Sequence, residues 1–200
     1  MASETSRSCG PILAFDTSAA HCAVALLLDG DIFSVSQDMR RGQAEALMPM
    51  LDGMLAEHSL VYRDLARLAV GIGPGNFTGI RISVAAARGL AMGLGIPAIG
   101  VTGFEAVKFG TKASVAAIPA PREMAYIQVA GDPPQFVTSN DVPQDAIWPR
   151  TPDEFVRSVA LCALQASSER AQESPAPLYI RPADAAPQRH KPPVILDAPD

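Results

Sequence analysis

The chain has 200 residues, 48% of them hydrophobic, enough for one domain or two small lobes around a real core. Its net charge is −5 and its sixteen basic residues are scattered, Arg40-Arg41 being the only adjacent pair. That distribution argues against an unaided grip on nucleic acid, which needs clustered Lys and Arg.

The first residues, Met1 to Ser8, contain no apolar run, so no secretory signal is expected. The three cysteines, Cys9, Cys22 and Cys162, stand at no metal-binding spacing. Cys22 and Cys162 fall in apolar patterns and read as buried thiols, as suits a reducing cytosol.

Residues 12–16, 22–28 and 32–37 read as strands. Asp29-Gly30 between the last two is a hairpin signal, because a two-residue type I′ turn needs positive φ at both positions. A helix is expected over 44–58, where Leu47, Met50, Leu51, Met54 and Leu55 form one apolar stripe. Pro49 lies inside it, so the helix should begin only a few residues earlier or kink there. A strand follows at 68–72, then a helix over 78–94 capped by Thr78 or Asn76. A membrane span over Val84–Val101 is disfavoured by Arg88, Gly93, Gly95 and Pro97.

A short strand is expected at 96–101 and a helix from Thr102 to Phe109. Beyond Gly110 the pattern weakens: strands at 114–118 and 125–130, then a helix opened by Thr151-Pro152-Asp153-Glu154, with Thr as N-cap, Pro at N1 and Glu closing a capping box. Phe155, Val159, Cys162, Ala163 and Ala166 give that helix its buried face. Three antiparallel strands followed by helix, strand and helix is the order of a ribonuclease-H-like, or actin-like ATPase (ASKHA), α/β core. The expected division is an N-terminal lobe at 11–110, a reduced C-terminal lobe at 111–182, and a loose Pro-rich tail at 183–200.

Two stretches carry candidate chemistry. Asp16, Thr17 and Ser18 end the first strand, where an acid and two hydroxyls are by themselves ordinary turn chemistry, while an actin-like core holds its first phosphate loop at this position. Gly71 to Gly79 links a strand to a helix N-terminus, which binds an anion or simply makes a tight connection. It is no Walker loop, since no Gly-Lys-Ser/Thr follows. Arg81 in the first helical turn faces an anion, a carboxylate or solvent. His21, His58 and His190 show no i, i+3 or i, i+4 pairing, so no metal site is expected.

The stretch Gly73-Pro-Gly-Asn-Phe-Thr-Gly-Ile-Arg81 resembles the GPGSFTGLR signature of the TsaB (YeaZ) family, with Asn76 in place of the usual Ser. Ile12-Leu-Ala-Phe-Asp16-Thr-Ser18 and Cys22-Ala-Val-Ala-Leu26 are similar to the start of the same family. Arg41-Gly-Gln-Ala-Glu45-Ala-Leu-Met-Pro49 resembles its R-x-H-x-E-x-L-x-P, with Gln43 replacing the common histidine, and Pro177-Leu-Tyr-Ile-Arg-Pro182 resembles its ending. The likeness is dense from Ile12 to Phe104 and sparse afterwards.

The resemblance implies the actin-like fold with a reduced second lobe. It also implies a role as the non-catalytic partner of TsaD in forming N6-threonylcarbamoyladenosine at position 37 of tRNA in the cytoplasm. TsaD carries the transfer chemistry and an H-x-x-x-H metal motif absent here. TsaE, an ATPase, joins the assembly, tRNA is met only through the complex, and no membrane is involved. Asp16, Thr17, Ser18, Gly73, Gly75, Asn76 and Thr78 would form a vestigial phosphate loop. No cofactor is expected in the chain itself beyond weak nucleotide binding at a partner interface.

TsaB-like proteins pair through their first two helices, with TsaD or with themselves. Here Ile82, Ala86, Gly89 and Gly93 form a seam of small residues, and each internal glycine costs about 0.8–1.0 kcal/mol of helix propensity, which points to tight packing. Glu45 and Met48 supply the neighbouring helix. The alternatives are a stand-alone actin-like ATPase or sugar-kinase-like enzyme using Asp16 and the glycine loop, and, more remotely, a metallopeptidase.

Overall fold

The computed structural model describes residues 10–180. Its centre is a five-stranded sheet ordered β3-β2-β1-β4-β5, built from β1 (Ile12–Asp16), β2 (His21–Leu28), β3 (Asp31–Asp38), β4 (Arg67–Gly71) and β5 (Ala98–Val101). β1, β2 and β3 pair antiparallel; β4 runs parallel to β1 and β5 parallel to β4. Asp29 (φ 50°) and Gly30 (φ 95°) make the expected hairpin turn.

β1 and most of β2 are buried on both faces, which is why they read as continuous apolar runs and not as alternating ones. On one face Leu13, Phe15, Val24, Leu26, Leu68 and Val70 meet Leu47, Leu51 and Met54 of α1 (Gln43–Glu57) and Ala87 of α2 (Phe77–Leu94). Each fully buried side chain of this size contributes about 1.5–3 kcal/mol of transfer free energy. α1 starts at Gln43, six residues ahead of Pro49, and Pro49 sits on its exposed side, where the carbonyl left without a partner faces water.

The opposite face is lined by Ala14, Ala23, Ala25 and Ala69, and these small side chains let α4 (Pro152–Leu164) lie close. α4 follows the second sheet in sequence but packs across the first, with Val156, Val159, Ala160 and Ala163 buried there. Phe155 and Cys162 flank that face and are only partly buried, so the Cys162 thiol is not fully enclosed as expected.

The second sheet is a meander of β6 (Val115–Ala120), β7 (Met124–Val129) and β8 (Gln135–Thr138). β8 was not expected from sequence: it is four residues long and only its pairing with β7 defines it. Phe104 of α3 (Gly103–Lys108) joins the two sheets by packing on Ala116 and Ile118, with Leu178 and Ile180 alongside. The expected tail at 183–200, together with Arg181, Pro182, Cys9 and His190, lies outside the described residues. No helix among the described residues is long and apolar enough to cross a membrane.

Candidate functional site

The two loops singled out by sequence meet at the ends of β1 and β4. Asn76, not Thr78, caps α2: its Oδ1 accepts from the Gly79 N–H at 2.9 Å. The Thr17 hydroxyl donates to the Gly79 carbonyl at 2.6 Å, and the Asn76 N–H donates to the Ser18 carbonyl at 2.6 Å. A Cβ at Gly75 would collide with the Ser18 carbonyl, and one at Gly79 with the Thr17 carbonyl. Glycine is required at both positions because one backbone lies directly on another. Ser83, fully buried on α2, adds hydroxyl contacts to the carbonyls of Gly71 (3.3 Å) and Ile80 (3.1 Å). Gly73 is buried and Thr78 exposed.

Asp16 and Thr17 are fully buried and Ser18 is nearly so. Asp16 Oδ2 accepts from the Ser18 N–H and hydroxyl, both at 3.0 Å, and from His21 Nε2 at 2.8 Å. Its Oδ1 has no partner and lies against Gly71, where any side chain would strike it. The acid therefore points into the protein and orders its own turn. His21 was noted in the sequence only for lacking a metal partner. The signal for its real role was present: Asp16 pairs with Ala23 across the β1–β2 ladder, so His21, two residues before Ala23, shares its face. His21 also lines a cleft of about 250 Å³ between the two sheets, walled by Pro74, Ile118, Pro119, Pro149 and Phe155. Among the described residues, no group of three His, Cys, Asp or Glu side chains is placed to hold a metal.

The seam expected on α2 divides. Ile82 and Ala86 are half-buried against the first core cluster, while Gly89 and Gly93 are exposed with nothing within 4 Å of a Cβ built on either. The exposed strip of α2 runs through Arg81, Ala85, Gly89, Met92 and Gly93, with Met92 85% exposed. α1 packs beside α2 and presents Glu45 and Met48 to solvent.

Arg81 meets no carboxylate among the described residues. Its guanidinium lies 3.7 Å over the Phe77 ring and its Nε donates to the Tyr179 hydroxyl at 2.9 Å, which ties the 177–180 segment to the start of α2. A second tie is the Arg170–Glu105 pair at 2.6 Å, with Arg170 also donating to the Gly100 carbonyl. Burial acts to raise the Glu105 pKa, but the bonds from Arg170 and Thr102 outweigh it and the net direction is down. Burial pushes the Cys22 thiol up to about 11 and the Cys162 thiol up to about 12, so neither is a reactive thiolate near neutrality.

The family model described as TsaD, tRNA N6-adenosine threonylcarbamoyltransferase, matches residues 35–132. The tRNA threonylcarbamoyladenosine biosynthesis protein TsaB of Haemophilus influenzae is 38% identical over 96 residues, 48% of this chain and 41% of that protein. The protein of the same name from Escherichia coli is 40% identical over 91 residues, 46% of this chain and 39% of that one. The fold agrees with the solved structure of YeaZ from Pseudomonas aeruginosa at a TM-score of 0.67 and 24% identity, covering 86% of this chain and all of that one. Over about half of its length the chain is similar to proteins of the TsaB (YeaZ) family, and its fold is that of YeaZ. Its aligned part spans about two fifths of the length of these two curated relatives. The actin-like, ribonuclease-H-like core expected from the element order is the fold this TsaB-like chain has.

Proposed function

We propose that this TsaB-like chain is a non-catalytic partner subunit that pairs with TsaD and supports formation of N6-threonylcarbamoyladenosine in tRNA. The observation that carries the reading is the contrast between its two candidate sites. The phosphate-loop residues are spent on one another: Asp16 and Thr17 are fully buried, and their bonds run within the chain. The outer strip of α2, by contrast, offers Gly89, Met92 and Gly93, with nothing among the described residues within 4 Å of a Cβ built on either glycine. Two glycines in a helix interior cost about 0.8–1.0 kcal/mol each relative to alanine, and a close partner backbone offsets that cost. Covering Met92 would add about 1.5–3 kcal/mol.

In this reading the contact surface is Met92, Gly89 and Gly93 on α2 with Glu45 and Met48 on α1, while Ile82 and Ala86 support it from beneath. TsaE joins the pair, a second copy uses the same surface when TsaD is absent, and any nucleotide is held weakly at the partner interface. The stand-alone ATPase reading has less support, because the carboxylate it needs faces Gly71 and not a cleft.

The test is Gly89→Leu, made in the chain co-expressed with TsaD from the same source. Open space surrounds this position, so the melt of the isolated chain should not fall, while co-purification with TsaD should be lost. Retained co-purification with an unchanged melt would remove α2 from the interface.

A further inference from the structure

A second cleft, of about 540 Å³, opens between the end of α3 and the first turns of α4. Its size falls in the range of small-ligand sites, roughly 300–1,000 Å³. Phe109, Ile147, Trp148, Arg150, Phe155 and Arg157 line it. Trp148, the only tryptophan of the chain, is 38% exposed at its rim. The backbone beside it is fixed: Ile147 donates to the Val115 carbonyl at 3.0 Å and accepts from the Ala117 N–H at 2.8 Å. The indole therefore stands on a rigid bridge to β6, half in solvent, with no ring partner among the described residues.

The cations beside it are exposed. Arg157 is exposed and its side chain makes no ion pair or hydrogen bond among the described residues. Arg150 has only Glu154, at 3.9 Å, with its own side chain 83% exposed. A flat aromatic face with two exposed guanidinium groups at one opening, one of them only loosely paired with the Glu154 carboxylate that also lines the cleft, is the pairing that takes a planar base and its phosphate. An acidic peptide would use the arginines and leave the indole idle.

We infer that this cleft binds a nucleotide, free or within single-stranded RNA, with the base against Trp148 and phosphate groups against Arg150 and Arg157. It is separate from the loops of Asp16 and Gly75, although Arg150 and Phe155 also line the cleft at His21. The inference does not rest on the TsaD partnership.

Trp148 is its own reporter. Its fluorescence in the full chain should be quenched saturably by a twelve-nucleotide oligoadenylate RNA at 50 mM salt. Two phosphate contacts on a single strand give a salt slope near −1.4, so affinity should fall about sevenfold between 50 and 200 mM salt. Arg157→Gln should weaken binding and reduce that slope by about half, while leaving co-purification with TsaD intact. AMP quenching with the same affinity as the oligonucleotide assigns the site to a free nucleotide; much weaker AMP binding assigns it to RNA. Absence of quenching by either probe overturns the inference. So does a polyglutamate peptide that binds as well as the RNA, or a folded Trp148→Ala chain that binds labelled RNA undiminished.

Discussion

Gly79→Ala and Gly89→Ala add the same methyl group to the same helix and should move stability in opposite directions. Helix propensity favours alanine by about 0.8–1.0 kcal/mol at an interior position. At Gly89 nothing lies within 4 Å of the added carbon, so the isolated chain should gain about that amount. At Gly79 the methyl meets the Thr17 carbonyl, a backbone atom that cannot step aside alone. The two loops must part, and the Thr17–Gly79 hydrogen bond of 2.6 Å is stretched or lost with them. Overpacking of this kind costs about 1–3 kcal/mol and a lost hydrogen bond about 1 kcal/mol. Set against the propensity gain, the net loss is about 1–3 kcal/mol. For a domain of this size each kcal/mol moves the melting temperature by roughly 2–4 °C. Thermal and urea unfolding of both variants beside the parent should therefore separate them, Gly79→Ala lower and Gly89→Ala higher. A Gly79→Ala chain that melts at or above the parent would refute the locked-loop account.

Arg170→Ala should cost about 1 kcal/mol at neutral pH, the upper end for a partly exposed pair. Glu105 has its pKa lowered in the folded chain, so the pair's contribution is fully present above the ordinary value of 4.5 and is lost as pH falls through the folded value. The gap between variant and parent melts should thus close in acid. Asp16→Ala strips the acceptor from three donors on Ser18 and His21 and should cost about 3 kcal/mol, the low end for breaking a buried pair, because His21 keeps some access to its cleft. Its chemical denaturation midpoint measures this. A thiol reagent applied at neutral pH should leave Cys22 and Cys162 unmodified until denaturant is added, as judged by peptide mass mapping.

Elements fixed by local chemistry were legible in the sequence. The Asp29-Gly30 turn, the Asn76 and Thr102 caps and the α1 stripe each depend on residues a few positions apart, and each is where the pattern put it. The Thr151 cap also forms, but the Glu154 carboxylate reaches the Thr151 hydroxyl (3.4 Å) and not its N–H, so the box is half made. What local pattern could not carry was the choice of surface on which α4 packs. An amphipathic helix fits either sheet, and only the alanine-lined face of the first lets it come close. The candidate site was legible in position but not in direction. An acid after a strand suggests a ligand, while the three glycines at 71, 75 and 79 that press against residues 16–18 turn it inward, and that approach spans more than fifty residues of sequence. Trp148 gave no periodic signal, because it lies outside any helix or strand, beside the single β-bridge that Ile147 makes to Ala116.

The most direct test of the central claim is reconstitution of tRNA threonylcarbamoylation with TsaD and TsaE from the same source, with and without this chain. The account predicts modified adenosine only when the chain is present with TsaD, none from the chain alone, and loss of product with Gly89→Leu while its fold persists. Undiminished product without the chain, or transfer by a preparation of the chain shown to be free of TsaD, would contradict it.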